Sequence, residues 1–201
     1  MSDAAGTVSC DVGISADGFV AGPGQTLEEP LGRGAEALHR WMFETEEENA
    51  AEIAAILGHG AYIMGRNMFG PMRGEWDEPW RGWWGEEPPY RAPVFVLTHH
   101  PHEPIEMGGG TTFHFVTDGP EAAMARAREA AGDRSISVAG GASTIDQFLA
   151  AGLLDELRLH IAPIVLGAGE RLFAGSGPLE LRPVASRTAS LVTHVTYRLK
   201  R

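Results

Sequence analysis

Lysine is almost absent from this chain: Lys200 is the only one. That excludes a Schiff-base lysine in the body of the chain and any Walker A loop, which needs a Gly-Lys pair. Cysteine is equally scarce. The single Cys10 rules out an intrachain disulfide and a CxxC zinc site, and its place in the first apolar run reads as a small buried hydrophobe rather than a nucleophile. Basic charge is in deficit, with a formal net charge of −11, which argues against a nucleic-acid partner because such proteins carry a basic patch or stripe. No apolar run approaches the roughly 18 residues of a membrane span, and no charged-then-apolar leader precedes Cys10, so the expectation is a cytoplasmic protein with no membrane contact. GxGxxG after a strand is missing, which disfavours a Rossmann dehydrogenase. His99, His100 and His102 crowd around Pro101, but no carboxylate pattern or HExxH accompanies them, so no metal site is expected.

What the chain does have is a glycine turn between a strand and a helix. Its 201 residues suit one α/β domain over 1–201 with a single sizeable core. Within it, Ser135 to Phe173 reads as strand, turn, helix and strand. Ile136 and Val138 alternate with small or polar neighbours, as in a strand that dips into a core. Gly140 and Gly141 stop that strand, and a glycine pair permits positive φ and close approach of a ligand. Ser143 stands as an N-cap with Asp146 three residues on, ahead of apolar Ile145, Phe148 and Leu149, and Gly152 is the expected stop. The N–H groups of Gly141, Ala142, Ser143 and Thr144 and the helix dipole then converge on one spot suited to a pyrophosphate. A plain βα corner, whose glycines only make the turn, is the other reading of this segment.

Four ordered motifs carry a family resemblance. Val138-Ala139-Gly140-Gly141-Ala142, followed by Leu154-Asp155-Glu156-Leu157-Arg158-Leu159, Ala162-Pro163-Ile164-Val165-Leu166-Gly167 and Arg171-Leu172-Phe173, is similar to the C-terminal half of the dihydrofolate reductase-like fold. The version it resembles is that of bacterial riboflavin-biosynthesis reductases (the RibD C-terminal domain) and their stand-alone relatives. Tyr62-Ile63-Met64-Gly65-Arg66-Asn67 resembles the family's first cofactor turn, and Val94-Phe95-Val96-Leu97-Thr98 its adenosine-side strand. Ile14-Ser15-Ala16-Asp17-Gly18-Phe19-Val20-Ala21 resembles its SLDGFIA-type opening. The resemblance spans most of the chain. It implies an α/β fold with a central mixed, mostly parallel twisted sheet, flanking helices and antiparallel C-terminal strands.

The same resemblance implies NADPH as cofactor, held by Gly65, Arg66 and Asn67, by Thr98 and His99 beside the adenosine 2′-phosphate, and by Gly140, Gly141, Ala142, Ser143 and Thr144. It puts Asp17, Gly18 and Phe19 beside the reacting centre, with Asp17 the candidate catalytic group, although Asp-Gly is also an ordinary turn pair. It further implies a homodimer. The resulting expectation is an NADPH-dependent reductase of a small heterocyclic substrate, of the ribosylamino-pyrimidine or pterin kind. Folate itself fits less well, since Glu36 and Glu44 lack the context of the pterin-holding carboxylate. No arginine cluster for a substrate phosphate and no fused deaminase is evident. A non-catalytic NADP- or pterin-binding module is the alternative.

The remaining segments complete the pattern. A short helix is expected over Gly34–Phe43 with Leu38 and Trp41 or Met42 inward, then a helix from a Thr45/Glu48 capping box along the stripe Ala50, Ile53, Ala54 and Leu57 to Gly58. Ala61–Met64 and Thr112–Val116 read as strands, Pro120–Ala131 as a helix between Asp118 and Gly132, and Leu179–Arg187 and Leu191–Leu199 as the last strands. Between Arg73 and Tyr90 lie Trp76, Trp80, Trp83 and Trp84. These indoles, Trp83 and Trp84 in particular, could stack a planar substrate; burial, the commoner first use of an aromatic, would instead pack the loop onto the body or a second subunit.

Overall fold

A computed structural model describes residues 6–70, 74–76 and 79–200. In chain order the elements are β1 (Val8–Ser15), β2 (Phe19–Ala21), α1 (Arg40–Glu44), α2 (Ala50–Leu57), β3 (Ala61–Gly65), α3 (Arg66–Phe69), β4 (Pro93–Leu97), β5 (Ile105–Glu106), β6 (Thr112–Val116), α4 (Pro120–Ala131), β7 (Ile136–Gly140), α5 (Ala142–Ala150), β8 (Glu156–Ala162), β9 (Glu170–Arg171), β10 (Leu181–Thr188) and β11 (Thr193–Leu199). One nine-stranded sheet runs β10-β11-β8-β1-β7-β3-β4-β6-β5. Its centre is parallel, from β8 through β1, β7, β3 and β4 to β6, while β8–β11, β10–β11 and β5–β6 are antiparallel. This is the mixed, mostly parallel sheet with antiparallel C-terminal strands that the motifs imply. No helix among the described residues is long and apolar enough to cross a membrane.

Side-chain alternation divides the sheet into two unlike faces. Val8, Cys10, Val12 and Ile14 of β1, Ile63, Phe95, Ile136, Val138, Leu157 and Leu159 point to one face. There α4 and α5 cover them with Ala123, Met124, Ala127, Ile145, Phe148 and Leu149. Cys10 is fully buried in this core, and burial raises its thiol pKa well above the usual value.

The opposite face is split. Tyr62, Met64, Val94, Val96 and Phe113 form a second apolar cluster with Phe69. Ser9, Asp11, Gly13, Arg158 and His160 share the face on β1 and β8, and His194 pairs with His160 from β11.

Three local expectations change. Helix α2 starts at Ala50, not at a Thr45 cap, because the Thr45 hydroxyl donates back to the Trp41 carbonyl at 3.0 Å and Glu48 accepts the Ser190 amide at 3.1 Å. Helix α5 starts at Ala142 with Gly141 as N-cap, so Ser143 lies inside the first turn. Asp146 caps no amide of its own helix: its carboxylate accepts the amides of Phe173 at 2.9 Å and Gly175 at 2.8 Å, tying the distant chain to α5. The short strands β2 and β9, which pair with each other, carry no alternation long enough to read in sequence.

Candidate active site

Parallel pairing of β3 with β7 aligns Met64 with Gly140 and so brings two strand-to-helix junctions side by side. They fit only because glycine stands at both. A Cβ on Gly65 would overlap Thr144 Oγ1, and Gly140 has φ +132, a backbone conformation L side chains rarely adopt. The Gly140–Gly141 peptide is cis. A Cβ at Gly141 would meet nothing within 4 Å, so the outer side of that turn is open. Ile145 makes the first helical hydrogen bond, to the Gly141 carbonyl at 3.0 Å, which leaves the amides of Ala142, Ser143 and Thr144 as the first-turn donors of α5.

These junctions open into one cavity of about 890 Å³ that lies over the carboxyl ends of β3, β7 and β4 and reaches β1 and β8. Gly65, Arg66, Asn67, Thr98, His99, Gly140, Gly141, Ala142, Ser143 and Thr144 all line it. Thr98 is buried, and its hydroxyl closes a local turn with the amide and carbonyl of His100, whereas His99 is exposed.

Arg66 is held by the tryptophan segment. Its guanidinium lies 3.3 Å over the Trp76 ring and donates to the Gly74 carbonyl at 3.0 Å. All four indole N–H groups of the segment are engaged: Trp76 with His100 O, Trp80 with Phe69 O, Trp83 with Met68 O and Trp84 with Tyr90 Oη. Packing onto the chain's own body accounts for Trp76, Trp80 and Trp83, whereas Trp84 is exposed, and Trp83 and Trp84 both line the cavity.

The opening loop departs from expectation. Asp17 spends its carboxylate on the Ser15 hydroxyl at 2.7 Å and the amides of Leu166 at 3.0 Å and Gly167 at 2.7 Å. The Ser15 bond and then these amides hold its pKa down at about 2, so it is an ionised staple and presents no proton. Gly18 makes the turn at φ +92, and the Phe19 side chain is buried in β2 beside Arg171. Val20 and Ala21, one step further, are the residues that reach the cavity wall.

Residues 6–195 match the family model described as the RibD C-terminal domain. The chain belongs to that family. A solved structure similar to this RibD C-terminal domain protein is the putative riboflavin biosynthesis protein from Shewanella sp. PV-4, at 23% identity and a TM-score of 0.66, covering 97% of this chain and 99% of that one. Dihydrofolate reductase from Enterococcus faecalis, complexed with NADP(H), matches over 97% of both chains at 12% identity and a TM-score of 0.55. These likenesses confirm the dihydrofolate reductase-like fold. The uncharacterized protein YyaP of Bacillus subtilis (strain 168) is 42% identical over 66 residues, a match that spans 32% of this chain and 35% of that protein.

The far end of the cavity holds residues that the motifs did not single out. Asp11, His39, Trp41 and His160 line it there. Neither Glu36 nor Glu44 contributes; Glu44 is exposed and paired with Arg40. Asp11 is one of the most deeply buried charges, with its side chain 3% exposed. Its Oδ2 lies 3.6 Å from Arg158 and its Oδ1 3.4 Å from His160 Nε2. His39 rests on Gly13, where a Cβ would come within 3.2 Å of its Nε2. Burial first, and the neighbouring His160 second, lower the His39 pKa to about 4. The signal in the sequence was a carboxylate at the solvent-parity position of an otherwise buried strand.

Proposed function

We propose that this protein is an NADPH-dependent reductase of a small planar nitrogen heterocycle, of the ribosylamino-pyrimidine or pterin kind. The observation that carries the reading is the single cavity that joins a main-chain anion cradle to a buried polar floor. Strand spacing is about 4.8 Å, so the three steps from β3 across β7 and β1 to β8 span roughly 14 Å, enough to separate a phosphate site from a reacting ring.

The residues present fit such a cofactor. First-turn amides of α5 and the Arg66 guanidinium suit a pyrophosphate in a chain whose overall charge is acidic. The open side of Gly141 leaves room for the phosphates to approach the backbone. When bound, the nicotinamide supplies hydride; the protein supplies orientation, exclusion of water and a proton. The membership of a family named for RibD and the likeness to a reductase crystallised with NADP(H) support the same reading. The alternative of a binding module without turnover drew on the missing helix carboxylate, and the buried Asp11 weakens that motive.

Calorimetry with NADPH and NADH, followed by loss of NADPH absorbance with 7,8-dihydropterin and 5-amino-6-ribosylaminouracil, tests the proposal. Micromolar NADPH uptake and oxidation with at least one of them is expected. No uptake of either coenzyme at millimolar concentration sinks the reductase reading, and uptake without oxidation favours the module. The homodimer is part of the proposal, and a monomer mass by light scattering removes it.

A further inference from the structure

The hydrogen bonds behind the cavity floor can be followed one by one, and they leave a proton to be accounted for. Asn49 is buried between α1 and α2. Its side-chain nitrogen sits 2.8 Å from the Thr45 carbonyl and 3.3 Å from the Trp41 carbonyl, and carbonyls only accept. Arg187, which only donates, reaches its Oδ1 at 2.9 Å. Asn49 Oδ1 is therefore an acceptor, so His194 Nε2, 2.9 Å away, must carry a hydrogen.

A neutral His194 then has a bare Nδ1, which lies 2.7 Å from His160 Nδ1. His160 must donate across that contact. Its other nitrogen, Nε2, would in the neutral ring be a second bare lone pair, and it faces Asp11 Oδ1 at 3.4 Å. Two acceptors facing each other in a buried site repel, and neither His160 Nε2 nor Asp11 Oδ2 has a hydrogen-bond partner among the described residues. One more proton resolves the clash.

We infer that His160, held as an imidazolium against the Asp11 carboxylate, is the proton source of the reduction, with Asn49 and His194 fixing Nε2 as the nitrogen turned to Asp11 in the cavity floor. The inference deepens the reductase reading and rests on it. In the step, the carbon of a substrate C=N bond gains hydride from the reduced nicotinamide and its π electrons pass to nitrogen. That nitrogen takes a proton from the His160–Asp11 pair, leaving a neutral imidazole with its hydrogen on Nδ1, an Asp11 carboxylate and the nicotinamide oxidised. Asp11 and His160 also line a second groove, of about 410 Å³, between α2 and β10–β11. Water there can reprotonate the pair while substrate fills the main cavity.

The surroundings agree. Facing His160 are Asp11 from β1, Arg158 one pair along β8, His194 from β11, and His39 and Trp41 from the segment above; Glu52 and Arg187 lie beyond His194. Burial first, and the neighbouring His160 second, lower the His194 pKa to about 4, in keeping with a neutral His194 ring.

Long-range proton–nitrogen NMR on the ¹⁵N-histidine-labelled intact protein reads this directly. His160 is assigned by the signal lost in His160→Gln. At pH 7 the expected spectrum shows His160 with both nitrogens protonated and His194 as the Nε2–H tautomer. In Asp11→Asn, whose amide can itself donate to Nε2, His160 becomes neutral. In the oxidation assay His160→Gln lowers kcat by about 100-fold or more, with NADPH affinity within about twofold as cofactor contacts are untouched. A neutral His160 in the intact protein at pH 7, or unchanged kcat in His160→Gln, overturns the assignment. Because NADPH uptake is measured separately, a protein that binds NADPH but shows either result loses only this inference, whereas one that binds no coenzyme loses the reductase reading as well.

Discussion

The open face of the sheet has two halves built on the same pleat. On β3, β4 and β6 it is apolar: Tyr62, Met64, Val94, Val96 and Phe113, closed by Phe69 and the tryptophan segment. On β1, β8 and β11 it is ionic: Asp11, Arg158, His160 and His194, closed by Trp41 and Asn49. The dry half gains from removing apolar area from water, about 25 cal/mol per Å². The wet half gains little from burial, since each charge must recover its lost hydration from a partner. The comparison teaches that the dry half holds the cleft in shape, and the wet half trades stability for groups able to exchange a proton. The two glycine junctions lie at the seam.

Breaking the dry half should have the largest effect. Phe69→Ala removes a ring 1% exposed that packs edge-on against Phe113 and Phe115, and an expected cost of about 3–5 kcal/mol should appear in urea unfolding. A cost below about 1 kcal/mol would mean this half is not the packed one.

The seam comes next. Gly65→Ala sets a methyl against Thr144 Oγ1, and NADPH affinity should fall about tenfold or more, equivalent to at least about 1.4 kcal/mol. Adding Thr144→Ala should restore most of it; failure of that rescue would show that the two junctions do not act as one site.

The wet half should respond to pH. His39 and His194, each lowered to about 4 from an ordinary value of 6.5, stay neutral in the fold while the unfolded chain takes up protons below 6.5. The unfolded state then binds more protons, so their contribution is whole above pH 6.5 and is lost as pH falls toward 4. A loss of at least about 1 kcal/mol, or about 2–4 °C in Tm, is expected between pH 7 and pH 4.5. His39→Gln should flatten that slope, and an unchanged slope would take His39 out of the comparison.

Asp17→Asn should be the mildest of the four. It weakens the staple to Leu166 and Gly167 and should lower Tm slightly without changing the pH dependence of turnover. A shift in that pH profile would restore Asp17 as a participant in proton transfer.

Much of this was legible in the chain itself. Strand β6 and helix α4 fall on the residues their alternation and their Pro and Gly stops indicate, and the glycine junctions at Gly65 and Gly140 stand where the motifs put them. Such signals are local: a turn that needs glycine or a helix that needs a stop declares itself within a few residues. Asp146 and Glu48 misled because a carboxylate near a helix start looks the same whether it caps its own helix or accepts amides from distant chain. Asp17 misled similarly, as the amides it binds lie at the other end of the sequence.

By itself the sequence determined the α/β class, the order of the longer strands and helices and the two glycine junctions, because propensity, periodicity and glycine conformation act over short spans. Only the tertiary structure decided that Asp11 meets His160. Parallel pairing of β1 with β8, in the register that sets Gly13 opposite His160, places a carboxylate and an imidazole on one buried face. No spacing along the chain encodes that meeting, because it depends on which strands lie side by side and which way their side chains point.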